Sequence, residues 1–522
     1  MQRRGRAGLE VLRDLRPQAR VGRAAAAFVL AAATTALLTP PLADVARVKP
    51  FWLDEGFEIA EACRHSYLSL VVRGAPGQCS PSPLYYLAQR LSVRSLERFD
   101  ERIAVSYRRV SLVAAGLLLF MTTLVLQTRL GAAWALVAAA TLASQPLFVH
   151  YAAENRPYLS WLLLFALTVL AAAEAASRPW REVGRARRMA LAVAAIALAL
   201  VALPGALQAG LASALCGLSW RRASADRREA RAALAWSLLL AAGCTALGLY
   251  FGARSPCRAY DAGHLALRFP DRAGLVRPIL SLIWSDGVAG HVGNVLLLLG
   301  LVPAFRLGPD LASRAGDAAR RTQFAAWLSR GVGAQVVLTV LLAVQVFQLG
   351  YYFIPRVFLH LAVCRALLVA LGGWSLMRWL TGRGPAPART ALQTLAVGLA
   401  VLAVASSFSL ERQDVEERRL AWAAGTAPCV FAPGTLVVDV PAGMTDWALG
   451  PNFIVRLAEE RRRCSAGASS DERHVLVGRG DYQFSADRAP GAVPLEQCGR
   501  SVVLSWGVLA AHPPDPPLAP RK

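Results

Sequence analysis

The sequence carries little charge for its length. Asp, Glu, Lys and Arg make up 17% of the 522 residues, whereas a soluble globular protein carries about 25%. The mean hydropathy is +0.40, and apolar runs recur from Ala24 to Phe408. Each run is about 20 residues long, the length of helix that crosses a hydrocarbon core of ~30 Å. This composition excludes a secreted enzyme, a disordered protein and a soluble nucleic-acid binder, and it predicts a polytopic membrane protein.

Lysine is nearly absent. Lys49 and Lys522 are the two lysines, so the formal net charge of +23 comes almost entirely from arginine. A pI near 10.7 can indicate a nucleic-acid partner. Here the basic residues lie mostly in short segments between apolar runs, where they set the orientation of membrane helices. We therefore expect the lipid bilayer as a partner and no nucleic acid.

The apolar runs predict an all-α transmembrane domain over residues 24–409 with about eleven helices. The predicted spans are 24–43, 110–127, 132–149, 157–176, 189–203, 205–219, 232–252, 291–306, 331–350, 357–379 and 390–409. Pro204-Gly205 is a plausible turn between the fifth and sixth spans. The alternative is one kinked helix over 189–219, which would invert the orientation of every later span.

The distribution of arginine predicts the orientation of the chain. Basic residues concentrate in the segments 1–23, 177–188, 220–231, 307–330 and 380–389. The short loops on the opposite side hold few, chiefly Arg156 and Arg356. The positive-inside rule then predicts a cytoplasmic N-terminus, residues 1–23, and an extracytoplasmic C-terminus. Abundant Arg and Ala are typical of a GC-rich genome, so we expect a multi-pass protein of the bacterial cytoplasmic (inner) membrane.

Three segments are predicted to face the outside. Two are the loops 44–109 and 253–290, and the third is a small C-terminal α/β domain, 410–512. Short β-rich runs at 435–440, 474–477 and 501–506 flank a helical stretch near 452–463 in that domain. The tail, 513–522, is rich in proline and predicted to be disordered.

The cysteines agree with this orientation. Six of the nine fall on the predicted outer side, where disulfides persist: Cys63, Cys79, Cys257, Cys429, Cys464 and Cys498. The other three, Cys216, Cys244 and Cys364, lie within spans. Cys63–Cys79 is the most plausible pair, but six cysteines allow 15 connectivities and several could be free. No Cys-x-x-Cys or Cys/His cluster has zinc spacing.

The first outer loop carries adjacent acids, Asp54 and Glu55, just outside the membrane. A carboxylate in such a place can accept a proton from a hydroxyl or hold a cation. The competing interpretation is that Asp54 is the N-cap of a following helix. The pair could hold a divalent ion, but no full ligand set is visible. We therefore assign no metal site and expect no certain cofactor.

Further polar residues are predicted on the same side of the membrane. Ser80-Pro81-Ser82-Pro83-Leu84-Tyr85-Tyr86 predicts an interfacial helix that begins at a proline, and Arg108-Arg109-Val110-Ser111 opens the second span. His150-Tyr151-Ala152-Ala153-Glu154-Asn155-Arg156-Pro157-Tyr158 separates the third and fourth spans. Ionisable groups so close to lipid are costly and usually functional. We select Glu154, Arg156 and Tyr158 as binding residues, with Tyr85 and Arg109 beside them.

These motifs, in this order, resemble the GT-C superfamily of integral membrane glycosyltransferases. The likeness is to the bacterial protein O-mannosyltransferase and aminoarabinose-transferase type, and it covers residues 24–176 best. Downstream, Tyr351-Tyr352-Phe353-Ile354-Pro355-Arg356 is similar to the family's Arg-Tyr-x-x-Pro stretch. This chain has Tyr351 in place of that arginine and Arg356 just after the proline. It also has Ser80 to Ser82 where relatives often carry His or Lys before two prolines.

The resemblance implies an inverting transfer from a polyprenyl-phosphate-linked sugar to an acceptor hydroxyl of the cell envelope. It implies that Asp54, with Glu55 beside it, is the base, and that Arg156 and Arg356 hold the lipid phosphate. The acceptor could be a lipid, a glycan or a protein. No nucleotide site is implied, and no nucleotide-binding fingerprint is present.

Two other functions remain open from the sequence. A transporter would be expected to show paired broken helices in two related halves, whereas we find one break, at Pro204-Gly205, and no repeat. The altered phosphate-site residues also leave open a non-catalytic GT-C-like protein with a role in envelope assembly or binding.

Overall fold

The structure is a computed structural model of the full chain. It describes residues 2–49, 51–52, 55, 58, 61–62, 65–75, 83–94, 107–223, 226–254, 279–284, 287–305, 317–348, 355–381 and 386–426, and the strand segments 436–440, 474–478, 493–498 and 501–505. Several predicted features fall outside the described residues. They are Asp54, most of the loop 253–290, the segment 452–463 and five of the six cysteines predicted to lie outside the membrane, all except Cys498 at the end of a strand. Predictions about them, including the Cys63–Cys79 pair, remain predictions.

Helices dominate the described part of the chain. They are α1 (Gln2–Val48), α2 (Tyr67–Arg73), α3 (Pro83–Arg94), α4 (Arg109–Leu130), α5 (Ala132–Ala143), α6 (Pro146–Ala152), α7 (Tyr158–Ala176), α8 (Arg185–Val201), α9 (Leu203–Ala223), α10 (Arg227–Gly252), α11 (Gly287–Phe305), α12 (Asp317–Gln348), α13 (His360–Thr381) and α14 (Ala386–Thr426). Two 3₁₀ turns, Trp180–Glu182 and Pro355–Phe358, precede α8 and α13.

The local sequence explains several of these boundaries. Pro83 begins α3 and Pro146 begins α6, because proline suits the first helical position. The residue before Pro146, Gln145, is extended, so the chain bends by 72° between α5 and α6. Gly131 separates α4 from α5 with φ +100°, a backbone conformation that favours glycine.

Every predicted span coincides with a helix, but the count of eleven is not confirmed. Seven helices among the described residues are long and apolar enough to cross a membrane, or eight if the bent α5–α6 pair is one span. The seven are Ala24–Arg47, Arg109–Leu130, Tyr158–Ala176, Arg227–Gly252, Ala318–Val344, His360–Leu380 and Thr390–Ser409. Shorter helices among the predicted spans, such as α8 with its 17 residues, fall outside this count, which rests on length and composition.

The break between the fifth and sixth predicted spans is real and lies two residues earlier than expected. Ala202 is extended between α8 and α9. Trp161 of α7 donates to Gln208 of α9, and the Trp220 indole of α9 donates to the Ala175 carbonyl of α7. Both helices therefore run in the same direction, so α8 must return between them. One continuous kinked helix is excluded.

Strands occupy the C-terminal part of the described chain. They are β2 (Leu436–Val440), β3 (His474–Gly478), β4 (Val493–Cys498) and β5 (Ser501–Ser505). β4 and β5 pair antiparallel, whereas β2 and β3 pair parallel. β2, β3 and β5 match the three predicted β-rich runs, whereas β4 was not predicted. The α/β domain as a whole stays a prediction, because its helical stretch is not described.

A short strand before the first-loop acids joins this sheet. β1 (Phe51–Trp52) pairs parallel with β2, with Phe51 opposite Val438 and Trp52 opposite Asp439. The resulting order is β1-β2-β3. The C-terminal segment therefore contacts the chain two residues before Asp54, a connection that the sequence did not predict.

Candidate functional site

A cluster of polar side chains lies where α1 ends, where α4 and α7 begin, and along α3. α1 and α4 run antiparallel, since Arg108 at the start of α4 donates to Ala46 near the end of α1, whereas Phe120 further along α4 packs against Phe28 earlier in α1. α4 and α7 run parallel, since Ser111 meets Arg156 at one end and Arg129 pairs with Glu174 at the other. The end of α1 and the starts of α4 and α7 consequently meet at one face of the helix bundle.

Arg108 and Glu55 form a fully buried ion pair in this cluster. Arg108 Nε lies 2.8 Å from Glu55 Oε1, and Nη2 lies 2.6 Å from Oε2. Both side chains have no exposed surface. Arg108 Nη1 also donates to the carbonyls of Ala46 and Lys49, at 2.6 and 2.9 Å. The bidentate geometry fits guanidinium to carboxylate, and it holds the first outer loop against the end of α1.

Glu55 also fixes the turn before α7. The Asn155 amide N–H donates to Glu55 Oε1 at 2.6 Å, and Asn155 Nδ2 donates to the Glu55 carbonyl at 3.3 Å. The Tyr85 hydroxyl of α3 donates to Asn155 Oδ1 at 2.8 Å. Burial raises the pKa of Tyr85 well above its ordinary value, with the Glu58 carboxylate adding to the shift. Tyr85 is therefore a neutral hydrogen-bond donor at physiological pH.

Lys49 pairs with Glu154 on the other side of the same turn. Lys49 Nζ lies 2.7 Å from Glu154 Oε1 and 3.1 Å from the His150 carbonyl, and His150 Nε2 lies 3.0 Å from the same carboxylate oxygen. Burial opposes ionisation of Glu154, but Lys49 and His150 outweigh it and hold the pKa of Glu154 below its ordinary value. Burial lowers the pKa of Lys49, although Glu154 counteracts this. Glu154 is consequently an anion.

Arg156 and Glu58 form the third pair. Arg156 Nη1 lies 2.9 Å from Glu58 Oε1, and the Tyr86 hydroxyl donates to Glu58 Oε2. The side chain of Glu58 is 3% exposed and that of Arg156 is 11% exposed. Burial raises the pKa of Tyr86 well above its ordinary value, and the neighbouring Glu58 raises it further.

The backbone and ring contacts of Arg156 orient its guanidinium. The Ser111 hydroxyl donates to the Arg156 carbonyl at 3.1 Å and accepts from the Arg156 N–H at 3.4 Å. The guanidinium carbon lies 5.6 Å from the centre of the Tyr158 ring, and Nη2 lies 3.5 Å from the Tyr158 hydroxyl. Pro157 follows Arg156 and is the N-cap residue of α7. The start of this helix therefore places the side chains of Arg156 and Tyr158 next to each other.

The three pairs balance in charge. Lys49, Arg108 and Arg156 are the cations, and Glu55, Glu58 and Glu154 are the anions. Each pair joins a residue of one segment to a residue of another, so the pairs connect α1, the first outer loop, the start of α4 and the turn before α7. Buried charges are tolerated only when they are paired and hydrogen-bonded.

Comparisons with solved structures give two crystal structures of ArnT (aminoarabinose transferase, GT-C superfamily) from Cupriavidus metallidurans. The apo structure is 16% identical with a TM-score of 0.44, and the alignment covers 92% of this chain and 99% of that chain. The structure bound to undecaprenyl phosphate is 15% identical with a TM-score of 0.41, with the same coverage of both chains. No family model and no curated protein matches the chain.

An identity near 15% with a TM-score below 0.5 adds nothing about the substrate, the acceptor or individual residues.

The structure brings several of the predicted site residues together. Glu55, Tyr85, Glu154, Arg156 and Tyr158 all belong to the cluster described above. Arg109 is the first residue of α4 and is exposed, whereas its neighbour Arg108 is buried. Arg356 lies in the 3₁₀ turn before α13. Asp54 lies outside the described residues.

The structure does not test a divalent ion at the Asp54/Glu55 pair, because Asp54 lies outside the described residues. Both carboxylate oxygens of Glu55 already accept from Arg108. In the part of the chain that the structure describes, no group of three or more His, Cys, Asp or Glu side chains could hold a metal ion.

The sequence analysis missed Lys49, Glu58, Tyr86 and Asn155 as site residues, and it chose Arg109 over Arg108. One available signal was Lys49, because it is a rare lysine in an arginine-rich chain. Another was the helical spacing of three between Glu55 and Glu58, which places both carboxylates on one face. The choice between Arg108 and Arg109 had no signal in the sequence, since it depends on how α4 is rotated.

Proposed function

We propose that the chain is an integral membrane glycosyltransferase. It transfers a sugar from a polyprenyl-phosphate-linked donor to a hydroxyl of an envelope acceptor, at the outer face of the bacterial cytoplasmic membrane. The observation that supports this most is the concentration of three buried ion pairs where α1 ends and where α4 and α7 begin. Buried ionisable groups at the ends of membrane helices are costly, and they mark functional sites in membrane proteins.

Asp54 is the base in the proposed reaction. It takes the proton of the acceptor hydroxyl, whose oxygen attacks the anomeric carbon of the donor. The bond between that carbon and the phosphate oxygen breaks with inversion, and the lipid phosphate leaves with the electron pair. Glu55 is the adjacent residue, and its ion pair with Arg108 gives it a positioning role beside the base.

Arg156 and Arg356 hold the phosphate and stabilise the charge that develops on it, as arginine does at phosphoryl oxygens. Tyr158 orients Arg156 through its ring and hydroxyl. Glu154 fixes the same turn through Lys49, and Tyr85 does so through Asn155. Arg109, exposed at the start of α4, is a further contact for the phosphate.

Transfer by the purified, detergent-solubilised full chain tests the proposal. Labelled polyprenyl-phosphate sugars and crude envelope acceptors are supplied to the wild type and to Asp54→Asn. Removal of a base of this kind lowers the rate by ~10²–10⁴-fold. The matched control is Asp44→Asn, because Asp44 is an exposed carboxylate near the end of α1 that pairs with Arg47 at 2.7 Å.

The result expected is product from the wild type and from Asp44→Asn, with a loss of at least ~100-fold in a folded Asp54→Asn variant. Equal transfer by Asp54→Asn would remove Asp54 from the mechanism. Absence of transfer with every donor, together with retained binding of polyprenyl phosphate, would favour a non-catalytic role in envelope assembly. Transport of the donor across vesicles without transfer would favour a transporter.

A further inference from the structure

Each carboxylate oxygen of Glu58 has a polar partner within the ion-pair cluster. Oε1 lies 2.9 Å from Arg156 Nη1, and Oε2 accepts from the Tyr86 hydroxyl. Glu58 is more deeply buried than Arg156, with 3% and 11% of the side chains exposed. The arginine is therefore the partner that an incoming ligand reaches first.

Arg156 has a fixed backbone and a guanidinium with more than one neighbour. Ser111 holds both the N–H and the carbonyl of Arg156, so a ligand can displace the guanidinium without displacing the turn. The Tyr158 hydroxyl is within 3.5 Å of Nη2 and offers an alternative contact. The guanidinium can thus turn from Glu58 toward a second anion while its main chain stays in place.

The proposed donor and product differ in charge at the phosphate. The donor is a phosphodiester with one negative charge, whereas the released lipid phosphate is a monoester with about −1.5 to −2 charges at neutral pH. The product consequently attracts Arg156 more strongly than the donor does, and a tightly held product slows turnover. A carboxylate that shares the same guanidinium repels the phosphate, and it repels the more highly charged product most.

We propose that Glu58 competes with the lipid phosphate for Arg156 and thereby sets how readily the lipid product leaves. This inference rests on the proposed function, because it takes polyprenyl phosphate as the leaving group. Glu58 acts through Arg156 and needs no contact with the substrate. The test therefore requires a measurement on which loss of the Glu58 charge and loss of structure have opposite effects.

The first experiment measures binding of labelled polyprenyl phosphate to the full chain in detergent, with the neutral polyprenol of the same chain length as reference lipid. Glu58→Gln keeps the shape of the side chain and removes its charge. We expect it to bind polyprenyl phosphate about tenfold more tightly, within the usual range of coupling between two ligands that compete through one group, and to bind polyprenol as the wild type does. A structural defect would weaken both.

Glu61→Gln is the matched control. Glu61 lies three residues further along the same loop and is also largely buried, but its carboxylate lies 3.1 Å from His65 Nε2. We expect no change in the affinity for polyprenyl phosphate. Glu58→Asp gives a second test that preserves the charge while lengthening the contact to Arg156, and its affinity should fall between those of the wild type and Glu58→Gln.

A double-mutant cycle with Arg156→Gln assigns the effect to the pair. Glu58→Gln should tighten binding in the wild-type background and have little effect once Arg156 is replaced. In steady-state transfer, Glu58→Gln should lower KM for the donor and lower kcat, since release of the product becomes slower.

Two outcomes would overturn the inference and leave the proposed function standing. One is unchanged or weaker binding of polyprenyl phosphate by folded Glu58→Gln and Glu58→Asp. The other is equal tightening with and without Arg156. Wild-type protein that binds polyprenyl phosphate no better than polyprenol would overturn the proposed function, and the inference with it.

Discussion

At the scale of single residues, the buried pair of Arg108 and Glu55 shows that two neighbouring residues in the sequence can have different structural roles. Two adjacent arginines lie at the start of α4. Arg108 lies inside the cluster with no exposed surface, whereas Arg109 is exposed. The buried one makes two contacts to Glu55 and two to main-chain carbonyls. It therefore supports the first outer loop and the end of α1 together.

Replacing Arg108 should destabilise the protein strongly. Arg108→Gln leaves the buried Glu55 carboxyl without its bidentate partner, and breaking a buried ion pair in this way costs about 3–5 kcal/mol. We expect a large drop in the thermal unfolding midpoint in detergent. Arg109→Gln, one residue away and exposed, should leave the midpoint unchanged. Equal midpoints for Arg108→Gln and the wild type would show that the pair contributes little to stability.

Glu154 should contribute to the loss of stability in acid. Its folded-state pKa lies below the ordinary value of 4.5, because Lys49 and His150 outweigh the opposing effect of burial. In the pH range below 4.5, the unfolded carboxylate binds a proton and the folded one does not, so stability falls as the pH falls. The contribution is fully present above that value.

The measurement is the unfolding midpoint between pH 7 and pH 3 for the wild type and Glu154→Gln. The variant should be less stable at pH 7 and should lose less stability on acidification. Parallel curves for the two proteins would mean that the Glu154 carboxyl does not have a depressed pKa in the folded state.

At the scale of helices, α11 and α13 approach each other closely at glycines. A Cβ atom added at Gly372 of α13 would overlap the Leu296 carbonyl oxygen of α11, and one added at Gly300 of α11 would overlap the Leu368 carbonyl oxygen of α13. Small residues at such contacts let helix backbones pack closely, which is how helices associate within membranes.

Gly372→Ala should therefore destabilise the protein, by about 1–3 kcal/mol as for other overpacked sites. Gly398→Ala in α14 is the matched control, because a Cβ there meets no atom within 4 Å. Alanine has the higher helix propensity, so the control should be neutral or slightly more stable. Unfolding midpoints of the two variants in detergent provide the comparison, and similar midpoints would argue against a close helix contact at Gly372.

At the scale of the whole molecule, the parallel directions of α7 and α9 require α8 to cross back between them. Together with the arginine distribution, this predicts that the chain is inside at 184, outside at 203 and inside again at 223. Alkaline phosphatase fused after these three positions should be inactive, active and inactive, because the enzyme folds outside the cytoplasm. A kinked single helix would instead give an active fusion at 223.

The sequence predicted many of the residues that form the site, but it did not predict which of them pair with each other. The polar cluster from His150 to Tyr158 stood out because it interrupts apolar runs. The helices that meet there, α1, α3, α4 and α7, were expected from hydropathy and proline. Sequence spacing does not reveal which carboxylate faces which cation. The pairing of Lys49 with Glu154 joins residues 105 positions apart, and it depends on how α1 and α7 are packed.

The sequence by itself determined that this is a membrane protein, approximately where its helices lie and which polar segments share one side. These features follow from local hydrophobicity, proline and glycine signals and the arginine distribution, which act over one helix length or less. Only the tertiary structure decided that α8 and α9 are separate helices, that β1 joins the C-terminal sheet, and that Arg108 rather than Arg109 is buried. Those outcomes depend on helix rotation and long-range packing, because a buried charge is stable only where a partner from a distant segment meets it.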